Sequence, residues 1–369
     1  MLKVILYPLS LIYGVVVFFR NRFYDLGILK SYDFDIPVIS VGNITVGGTG
    51  KTTHIEYLAA LLKEQYEIAV LSRGYKRKST GFRWVEVETT VDEAGDEPVQ
   101  IKRKFPEITV AVCENRLTGI RRLFSAENPK IPDVVLLDDA FQHRRINPGI
   151  NILLIDYNRP VWKDSLLPAG RLREGFMQVR RAGIIIFSKC HENEVTPIQR
   201  RLIGKEIDLK PYQQFYFTTY QYDKIKNLFT GNELAEDFYD SASYSVLVVT
   251  GIANPLLVYE YIKQYASDLR YLSFPDHHNF SDRDIELIIK RFEEFKQDRK
   301  IIVTTEKDAV RLMDMPGLPD TLKEVLYYLP VRVKFVNDKE KLFDKKILNY
   351  VGENKSNRAL YQRTNKNHS

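Results

Sequence analysis

The chain has 369 residues, of which 44% are hydrophobic and 28% charged, so it is long enough for two globular domains and is not a disordered chain. Its two cysteines, Cys113 and Cys190, are too few for a disulfide framework and lack metal-ligand spacing, which favours a reducing cytoplasm. The formal net charge of +6 is modest, and its placement matters more than its size.

The first predicted element, 1–30, is an apolar helix with basic ends. Residues 4–19 are almost wholly apolar, with Lys3 before them and Arg20 and Arg22 after them. About 16 residues of helix reach roughly 24 Å, short of the roughly 30 Å hydrocarbon core of a bilayer. Positive charges after the apolar run, with no small-residue cleavage site, argue against a signal peptide. We therefore predict a membrane-interface helix; a helix packed on the protein's own core is the alternative.

A glycine-rich loop follows the first predicted strand, residues 38–41. It ends in Gly50, Lys51 and Thr52 and leads into a helix-compatible stretch. This order builds a phosphate cradle, because glycines let backbone N–H groups converge on phosphate oxygens and a helix N-terminus attracts anions. Thr45 stands where the usual motif has its first glycine, and an ordinary glycine-rich turn is the alternative. The predicted nucleotide-binding residues of this loop are Thr45, Val46, Gly47, Gly48, Thr49, Gly50, Lys51 and Thr52, with Lys51 on the phosphates and Thr52 on Mg²⁺.

Further apolar runs of strand length are separated by helical stretches over 31–211, the predicted P-loop kinase core. They predict an α/β fold, a P-loop NTPase-like doubly wound, mostly parallel sheet with functional groups at the carboxyl ends of its strands. Asp138 ends one run, where a carboxylate reaches Mg²⁺ beside the loop, although a capping residue is the alternative. Asp139 is a second candidate metal ligand. Gln142 and His143 on the same exit loop are predicted to bind the nucleotide.

The sequence pattern changes after residue 211. Alternating aromatic and polar residues over 212–228 predict an extended strand or connector, which we take as the boundary between domains. A second, smaller α/β domain is predicted over 229–350, with a return strand near 331–335. The segment 351–369 is polar and rich in Asn, Lys and Arg, which predicts a disordered tail.

Two further loops carry candidate catalytic groups. Asp96 and Glu97 lie between a glycine and a proline, a pattern that exposes both acids or simply caps a helix. His277 and His278 follow Asp276, which suggests a metal site, although nothing else supplies the ligand spacing of zinc. A catalytic pair is the other interpretation of these histidines.

Eight strings of residues occur together, and in their order and spacing the chain resembles the tetraacyldisaccharide 4'-kinases of lipid A biosynthesis. The resemblance covers nearly the whole chain, and eight collinear strings are far more specific than one. The chain departs from the commoner family pattern at Ala140, where glycine is usual. The strings are TVGGTGKT (45–52), SRGY (72–75), GDEP (95–98), DDAFQH (138–143), LPAGRLRE (167–174), GIANP (251–255), FPDH (274–277) and TTEKD (304–308).

The resemblance implies a reaction and its catalytic residues. The γ-phosphoryl group of ATP is transferred to the 4'-hydroxyl of tetraacyldisaccharide 1-phosphate, which forms lipid IVA, with Mg²⁺ as the metal. Asp96 is implied as the base, supported by His277, with Lys51 as a third catalytic residue and Glu97 as a further metal ligand. Implied substrate-orienting residues are Arg73, Tyr75, Arg116, Arg171, Arg173 and Glu174; Lys307 and Asp308 are interpreted as structural.

The resemblance also implies partners and a location. The acylated disaccharide lipid and an inner-membrane surface with anionic lipids are the expected partners, with no nucleic acid and no obligate protein partner. The enzyme is expected at the cytoplasmic face of the inner membrane of a Gram-negative bacterium. A P-loop NTPase switch and a membrane-docking ATP-binding scaffold are the alternatives. Residues 188–191 do not form the Asn-Lys-x-Asp string of guanine recognition, which disfavours a GTPase.

Overall fold

The computed structural model describes residues 2–241 and 243–366 of the chain. Its large sheet has nine strands, β1 (Val38–Gly42), β2 (Ile68–Ser72), β3 (Arg83–Val85), β4 (Thr109–Val112), β5 (Val134–Asp138), β6 (Ile150–Asp156), β7 (Ile184–Ser188), β8 (Gln214–Tyr222) and, from far along the chain, Val331–Phe335. The second sheet has five strands, β9 (Lys226–Asn227), β10 (Tyr244–Thr250), β11 (Ala266–Ser273), β12 (Lys300–Thr305) and β13 (Leu326–Leu329). The last strand of the large sheet, Val331–Phe335, follows them in the chain and is labelled β14.

The described helices lie between and beside these strands. They are α1 (Leu2–Asp25), α2 (Lys51–Leu62), α3 (Val91–Ala94), α4 (Asp96–Lys104), α5 (Arg116–Leu123), α6 (Pro197–Glu206), α7 (Asp237–Ser241), α8 (Leu256–Lys263), α9 (Asp282–Glu293), α10 (Glu306–Met313), α11 (Asp320–Val325) and α12 (Glu340–Lys366). Helices α2 to α6 belong to the first domain and α7 to α11 to the second, while α1 and α12 both pack against the first.

The large sheet has the order β14-β8-β7-β6-β1-β5-β2-β4-β3. All neighbouring strands from β8 to β4 are parallel, and only the edge strands β14 and β3 pair in the antiparallel sense. The central strand β1 is buried along its whole length because helices cover both faces of the sheet. The predicted α/β fold with a mostly parallel sheet and a second, smaller domain is confirmed.

The second sheet has the order β11-β10-β12-β13-β9, parallel except for the short edge strand β9. One apolar core lies between the sheet and the helices α9 to α11, with Val249 and Ile302 fully buried, and a second core packs α8 against the sheet through Val258 and Ile262. The carboxyl end of β11 leads into the loop that carries His277, and β12 leads directly into α10, which carries Lys307. The second domain therefore presents its loop edge to the first.

The segment 212–228 and the predicted return strand both contribute strands to the large sheet. The segment 212–228 is not a free connector, because β8 continues the large sheet in parallel with β7 and buries Tyr216 and Phe217. The return strand, assigned to the smaller domain, pairs as β14 with β8 in the large sheet. Phe335 joins the core cluster that holds Tyr216, so apolar contact draws this strand to the first domain.

The C-terminal segment is helical where the sequence predicts disorder. Helix α12 runs through Lys366, while residues 367–369 of the predicted tail lie outside the described residues. Phe343, Ile347 and Val351 are buried in the core of the first domain. Packing of this apolar face stabilises the first three turns of a helix whose remaining residues are mostly polar.

Helix α1 packs one face on the first domain and exposes the other. The Ser10 hydroxyl donates to the Leu166 carbonyl at 3.0 Å, and the Tyr13 hydroxyl donates to the Arg173 carbonyl at 2.7 Å. On the outer face, Leu11 is 71% exposed and Phe18 62% exposed. No helix in the described part of the chain is long and apolar enough to span a bilayer. Met1 of the predicted segment 1–30 lies outside the described residues.

Candidate active site

The glycine-rich loop lines a cavity of about 370 Å³ between the two domains. The loop joins β1 to α2, and all of its predicted residues from Thr45 to Thr52 face this cavity. Gly50 precedes α2 with a φ of 83°, and a Cβ there would lie 2.6 Å from the Tyr220 hydroxyl. The positive φ therefore favours glycine at this position, and a larger residue would also displace the Tyr220 hydroxyl.

Lys51 and Arg173 converge on Asp139. Lys51 Nζ lies 3.7 Å from Asp139 Oδ1, and Arg173 donates to both carboxylate oxygens, at 2.8 and 3.1 Å. Burial raises the pKa of Asp139, but the charges of Lys51 and Arg173 outweigh burial and hold that pKa below its usual range. Because Arg173 occupies both oxygens, the structure favours an ion-pair role for Asp139 over the predicted metal-ligand role.

The two carboxylate oxygens of Asp138 differ in their hydrogen bonding. Its Oδ2 accepts a hydrogen bond from the Ser72 hydroxyl at 3.1 Å, whereas the buried Oδ1 has no hydrogen-bond partner. Burial, and then the charges of Glu97 and Asp139, raise the pKa of Asp138 to about 7. An unpartnered buried carboxylate oxygen is costly unless a cation or a proton accompanies it. Asp138 therefore fits the predicted role of magnesium ligand.

A metal site made of protein side chains alone is not found in the described residues, which contain no group of three or more His, Cys, Asp or Glu side chains able to hold an ion. Mg²⁺ at phosphate-transfer sites instead takes one or two protein oxygens together with phosphates and water. Thr52, at the start of α2 on the cavity wall, and Asp138 are residues of that kind. Glu97 also lines the cavity, with Oε1 3.7 Å from Lys307 Nζ, and its metal role stays a prediction.

The structure brings together Asp96 and His277 from different domains. Asp96 is the first residue of α4 and is 3% exposed, and its Oδ2 lies 3.0 Å from His277 Nδ1. Arg311 on α10 also donates to this oxygen. Burial raises the pKa of Asp96, but the His277 hydrogen bond and the charges of Lys307 and Arg311 outweigh it and lower the pKa below its usual range.

His277 is the member of this pair that faces the cavity. It contributes to the cavity wall together with the loop residues, whereas Asp96 lies behind it. Tyr75, a predicted substrate-orienting residue, packs against the imidazole with ring centroids 4.9 Å apart. His278 points elsewhere, with Nε2 3.0 Å from Asp284 Oδ2. The two adjacent histidines therefore do not form a shared metal site.

Two of the predicted substrate-orienting residues, Arg116 and Glu174, are buried and hold neighbouring parts of the protein in place. Arg116 is 1% exposed and donates to the backbone carbonyls of Cys113 and Asp138 at 2.6 and 2.9 Å. Glu174 is equally buried, accepts from Arg181, and lies 3.7 Å from Arg20 of α1. These contacts show Arg116 holding the turn after β5 and Glu174 anchoring α1.

Other predicted residues lie apart from the loop cavity. Among the residues that the structure describes, its wall does not include Gln142 or His143. Gln142 donates to the Asn43 carbonyl at 2.8 Å, and His143 lines a different cavity beside Arg20. Burial, and then nearby arginines, lower the pKa of His143 to about 4. The remaining predicted residues, Arg73 and Arg171, have exposed side chains.

Three cationic residues at the site are absent from the predicted set. Lys189 follows β7, pairs with the Gly48 carbonyl and lies 3.1 Å from Asp156. Lys307 and Arg311 both reach the Asp96–His277 pair from α10. Lys189 could have been predicted as a site residue because it follows the carboxyl end of a parallel strand, and Lys307 because it belongs to the TTEKD string.

Comparisons with known proteins identify the family of this chain. Residues 2–351 match the family model of the tetraacyldisaccharide-1-P 4'-kinases, LpxK. A tetraacyldisaccharide 4'-kinase of Phocaeicola vulgatus is 49% identical over 353 residues, covering 95% of this chain and 96% of the relative. That of Bacteroides thetaiotaomicron is 46% identical and covers 99% of this chain and 97% of the relative.

A solved structure has the same architecture. The crystal structure of LpxK from Aquifex aeolicus in complex with ATP superposes with a TM-score of 0.72 and 32% sequence identity, covering 95% of this chain and 99% of that one. The similarity thus extends over both domains and is not limited to the phosphate loop. The chain belongs to the tetraacyldisaccharide-1-P 4'-kinase family, the kinases of lipid A biosynthesis.

Proposed function

We propose that this enzyme transfers the γ-phosphoryl group of ATP to the 4'-hydroxyl of a tetraacyldisaccharide 1-phosphate and so forms lipid IVA. The observation that carries the proposal is the His277–Asp96 contact beside a cavity that both His277 and the phosphate loop line. A kinase needs a proton acceptor and a phosphate cradle that face each other across one space. The relatives' names specify the acceptor, and the solved relative was crystallised with ATP.

The loop residues 45–52 are assigned to the ATP phosphates, and Lys51 contributes a positive charge that Asp139 orients. Thr52 and Asp138 would hold Mg²⁺, because the hydroxyl lies at the helix start and the carboxylate has an unpartnered oxygen. The metal supplies charge neutralisation on the phosphate oxygens. Arg173 maintains the position of Asp139 through its paired hydrogen bonds.

The Asp96–His277 pair is assigned to the acceptor proton. Asp96 holds the imidazole through Nδ1, and His277 presents its ring to the cavity. In a loose phosphoryl transfer the hydroxyl loses its proton late, so orientation matters more than strong basicity. Because the two residues come from different domains, the pair exists only while the domains are in contact as they are here, and this contact limits the access of water to the cleft.

Helix α1 is assigned to the membrane surface, where an acylated acceptor resides. Its outer face exposes Leu11 and Phe18, and Arg20 and Arg22 lie near its end. An apolar face with basic residues is suited to the interface of a bilayer with anionic lipids. The proposed location is the cytoplasmic face of the inner membrane, with peripheral attachment.

The test is an assay of the purified protein with ATP, Mg²⁺ and the tetraacylated disaccharide 1-phosphate in detergent micelles. Mass spectrometry should detect a lipid heavier by one phosphoryl group, and the Lys51→Ala variant should not produce it. ATP hydrolysis without a phosphorylated lipid would instead support an NTPase switch. ATP binding with neither product would support a scaffold, and both results contradict the proposal.

A further inference from the structure

Two side chains at the carboxyl end of β7 hold the backbone of the phosphate loop. The Ser188 hydroxyl donates to the Thr49 carbonyl at 2.8 Å, and Lys189 Nζ donates to the Gly48 carbonyl. Ser188 is fully buried, and most of the Lys189 side chain is buried as well. Two consecutive residues of the strand end therefore hold two consecutive carbonyls of a loop that lies 139 to 141 residues earlier in the chain.

The neighbouring carbonyls of the loop are engaged as well. The Gly47 carbonyl accepts a hydrogen bond from Asn43 Nδ2 at 3.4 Å, and the Gly50 carbonyl accepts one from the Thr53 hydroxyl at 2.8 Å. The N–H groups of residues 47–50 have no hydrogen-bond partner among the residues that the structure describes. The loop is therefore held by its carbonyls, and its N–H groups stay free for an anion.

A second contact directs the Lys189 ammonium group. Asp156, the last residue of β6, is buried, and its Oδ2 lies 3.1 Å from Lys189 Nζ. Asn158 donates to the Lys189 carbonyl at 3.2 Å. Lys189 itself has a φ of 61°, a conformation that is costly for a residue with a side chain and that clusters at functional sites. The ammonium group is thus fixed between a carboxylate and a carbonyl of the phosphate loop.

We propose that Ser188 and Lys189 are positioning residues that keep the phosphate loop in its anion-binding conformation before the nucleotide arrives. The C=O group and the following N–H group of a trans peptide unit point in opposite directions. Lys189 on the Gly48 carbonyl therefore aims the N–H of Thr49, and Ser188 on the Thr49 carbonyl aims the N–H of Gly50. Both of these loop residues line the cavity. The inference rests on the proposed function only for the identity of the anion as the phosphates of ATP.

Lys189 acts through the loop and not on the transferred phosphoryl group. Its ammonium group is held by the Gly48 carbonyl, and the Asp156 carboxylate balances its charge. A loop without these bonds has to become ordered when the nucleotide binds, and this ordering weakens affinity. The backbone of a phosphate loop cradles phosphates that ATP and ADP share. The loss of affinity should therefore be the same for both nucleotides.

The test is calorimetric titration of the full-length protein with ADP and with a non-hydrolysable ATP analogue, both with Mg²⁺. Ser188→Ala should raise the Kd of both ligands about 5- to 10-fold, the effect of losing one neutral hydrogen bond. Lys189→Met should raise both Kd values about 10- to 100-fold, because a charged donor forms the stronger bond. Lys189→Arg keeps a charged donor and should recover part of the loss.

Two matched controls remove the same groups elsewhere in the molecule. Ser245→Ala removes a buried hydroxyl of the second sheet that donates to Gln297 at 2.9 Å. Lys102→Met removes an ammonium group that donates to the Pro106 and Ile108 carbonyls at 2.9 and 3.0 Å. Both controls should bind the two nucleotides as the unmodified protein does. Melting temperatures close to that of the unmodified protein would show that all of the variants fold.

Steady-state kinetics separate a positioning role from a catalytic one. In Ser188→Ala and Lys189→Met the KM for ATP should rise, while kcat at saturating ATP stays near its original value. The bound phosphates hold the loop in shape themselves, so the lost interaction affects substrate and transition state equally. A fall in kcat at unchanged KM would place these residues in the chemical step and would contradict the positioning role.

Two results of the titrations would overturn the proposal. One is an unchanged nucleotide affinity in either variant. The other is a weaker affinity of Lys189→Met for the ATP analogue but not for ADP, which would indicate a direct contact with the terminal phosphate. The titrations use no lipid. A failed lipid assay together with the expected affinity losses would therefore reject the proposed acceptor and still support the positioning role of Ser188 and Lys189.

Discussion

Adjacent residues can have different charge states when their surroundings differ. Asp138 and Asp139 are neighbours at the end of β5, yet burial raises the pKa of Asp138, while Lys51 and Arg173 lower that of Asp139. The sequence shows two identical side chains and does not contain the distances that separate them in function. Asp138 could be selected as a metal ligand because it ends a buried strand. The role of Asp139 depends on Arg173, 34 residues away, and could not be predicted.

Asp96 should be essential for turnover and dispensable for nucleotide binding. Replacing it with asparagine removes the charge that orients His277, and we expect kcat to fall by about 10²- to 10⁴-fold. Affinity for an ATP analogue, measured by calorimetry, should change little because Asp96 does not line the loop cavity. Asp92→Asn, which removes an exposed acid of α3 paired with Lys78, is the control and should keep full activity. Near-normal turnover of Asp96→Asn would remove it from the mechanism.

His54 should make stability depend on pH. Its Nδ1 lies 2.7 Å from the Gly50 carbonyl and its Nε2 3.1 Å from the Thr218 hydroxyl, and burial lowers its pKa from 6.5 to about 4. Below pH 6.5 the His54 imidazole is protonated in the unfolded chain, whereas in the folded protein it stays neutral until the pH approaches 4. Stability is therefore complete above pH 6.5 and is lost as the pH falls towards 4, by about 3 kcal/mol in total.

Urea unfolding at pH 7 and pH 4.5 tests this expectation against His54→Gln. The variant lacks the titrating group, so its free energy of unfolding should fall less between the two pH values. Carboxylates titrate in both proteins, and the difference between them isolates the histidine. Parallel losses in the two proteins would contradict the assignment.

Among the elements, buried strands were the easiest to predict and edge strands the hardest. β1, β2, β5 and β7 are mostly apolar and buried along their whole length because both faces of the sheet are covered. β14 alternates apolar residues with the exposed Arg332 and Lys334, which allows a strand to be recognised but not its sheet. Strand pairing depends on contacts far apart along the chain, and no local pattern specifies it.

The outer face of α1 should provide most of the attachment to vesicles. Leu11 and Phe18 are seven residues apart on one exposed face, and changing both to glutamate removes two apolar anchors and adds two negative charges. We expect binding to anionic vesicles, measured by co-sedimentation, to weaken about 100-fold or more. Changing Ile198 and Leu202 on α6 to glutamate alters two comparably exposed apolar residues elsewhere and is the control. Equal loss in both variants would contradict a specific role for α1.

Across the whole molecule, the site exists only where the two domains meet. Asp96 and His277 are 181 residues apart in the chain, and each belongs to a domain with its own sheet. Their contact could therefore be expected only from the family resemblance. The phosphate loop, by contrast, is continuous in sequence and could be predicted from its own residues. Local chemistry was therefore predictable, whereas the partner brought by the second domain was not.

Nucleotide binding should protect both domains from hydrogen exchange. The cavity is lined by the loop 45–52 of the first domain and by Ile252 and Lys307 of the second. At about 100 times its Kd an ATP analogue stabilises the bound state by about 2.7 kcal/mol, so amide exchange in the loop and in α10 should slow together. Lys51→Ala should lose both effects, whereas Lys63→Ala, at an exposed ion pair beyond α2, should retain them. Protection confined to the loop would contradict a shared nucleotide site.

The return of β14 to the large sheet has a consequence for synthesis on the ribosome. The strand that covers the open edge of β8 is encoded after the entire second domain, as are the buried residues Phe343 and Val351. Until those residues emerge, the nascent first domain carries an unpaired β edge and an uncovered apolar surface, both of which promote aggregation. The second domain is uninterrupted in sequence and can fold during this interval. The nascent chain therefore completes its inserted domain before the domain that began first.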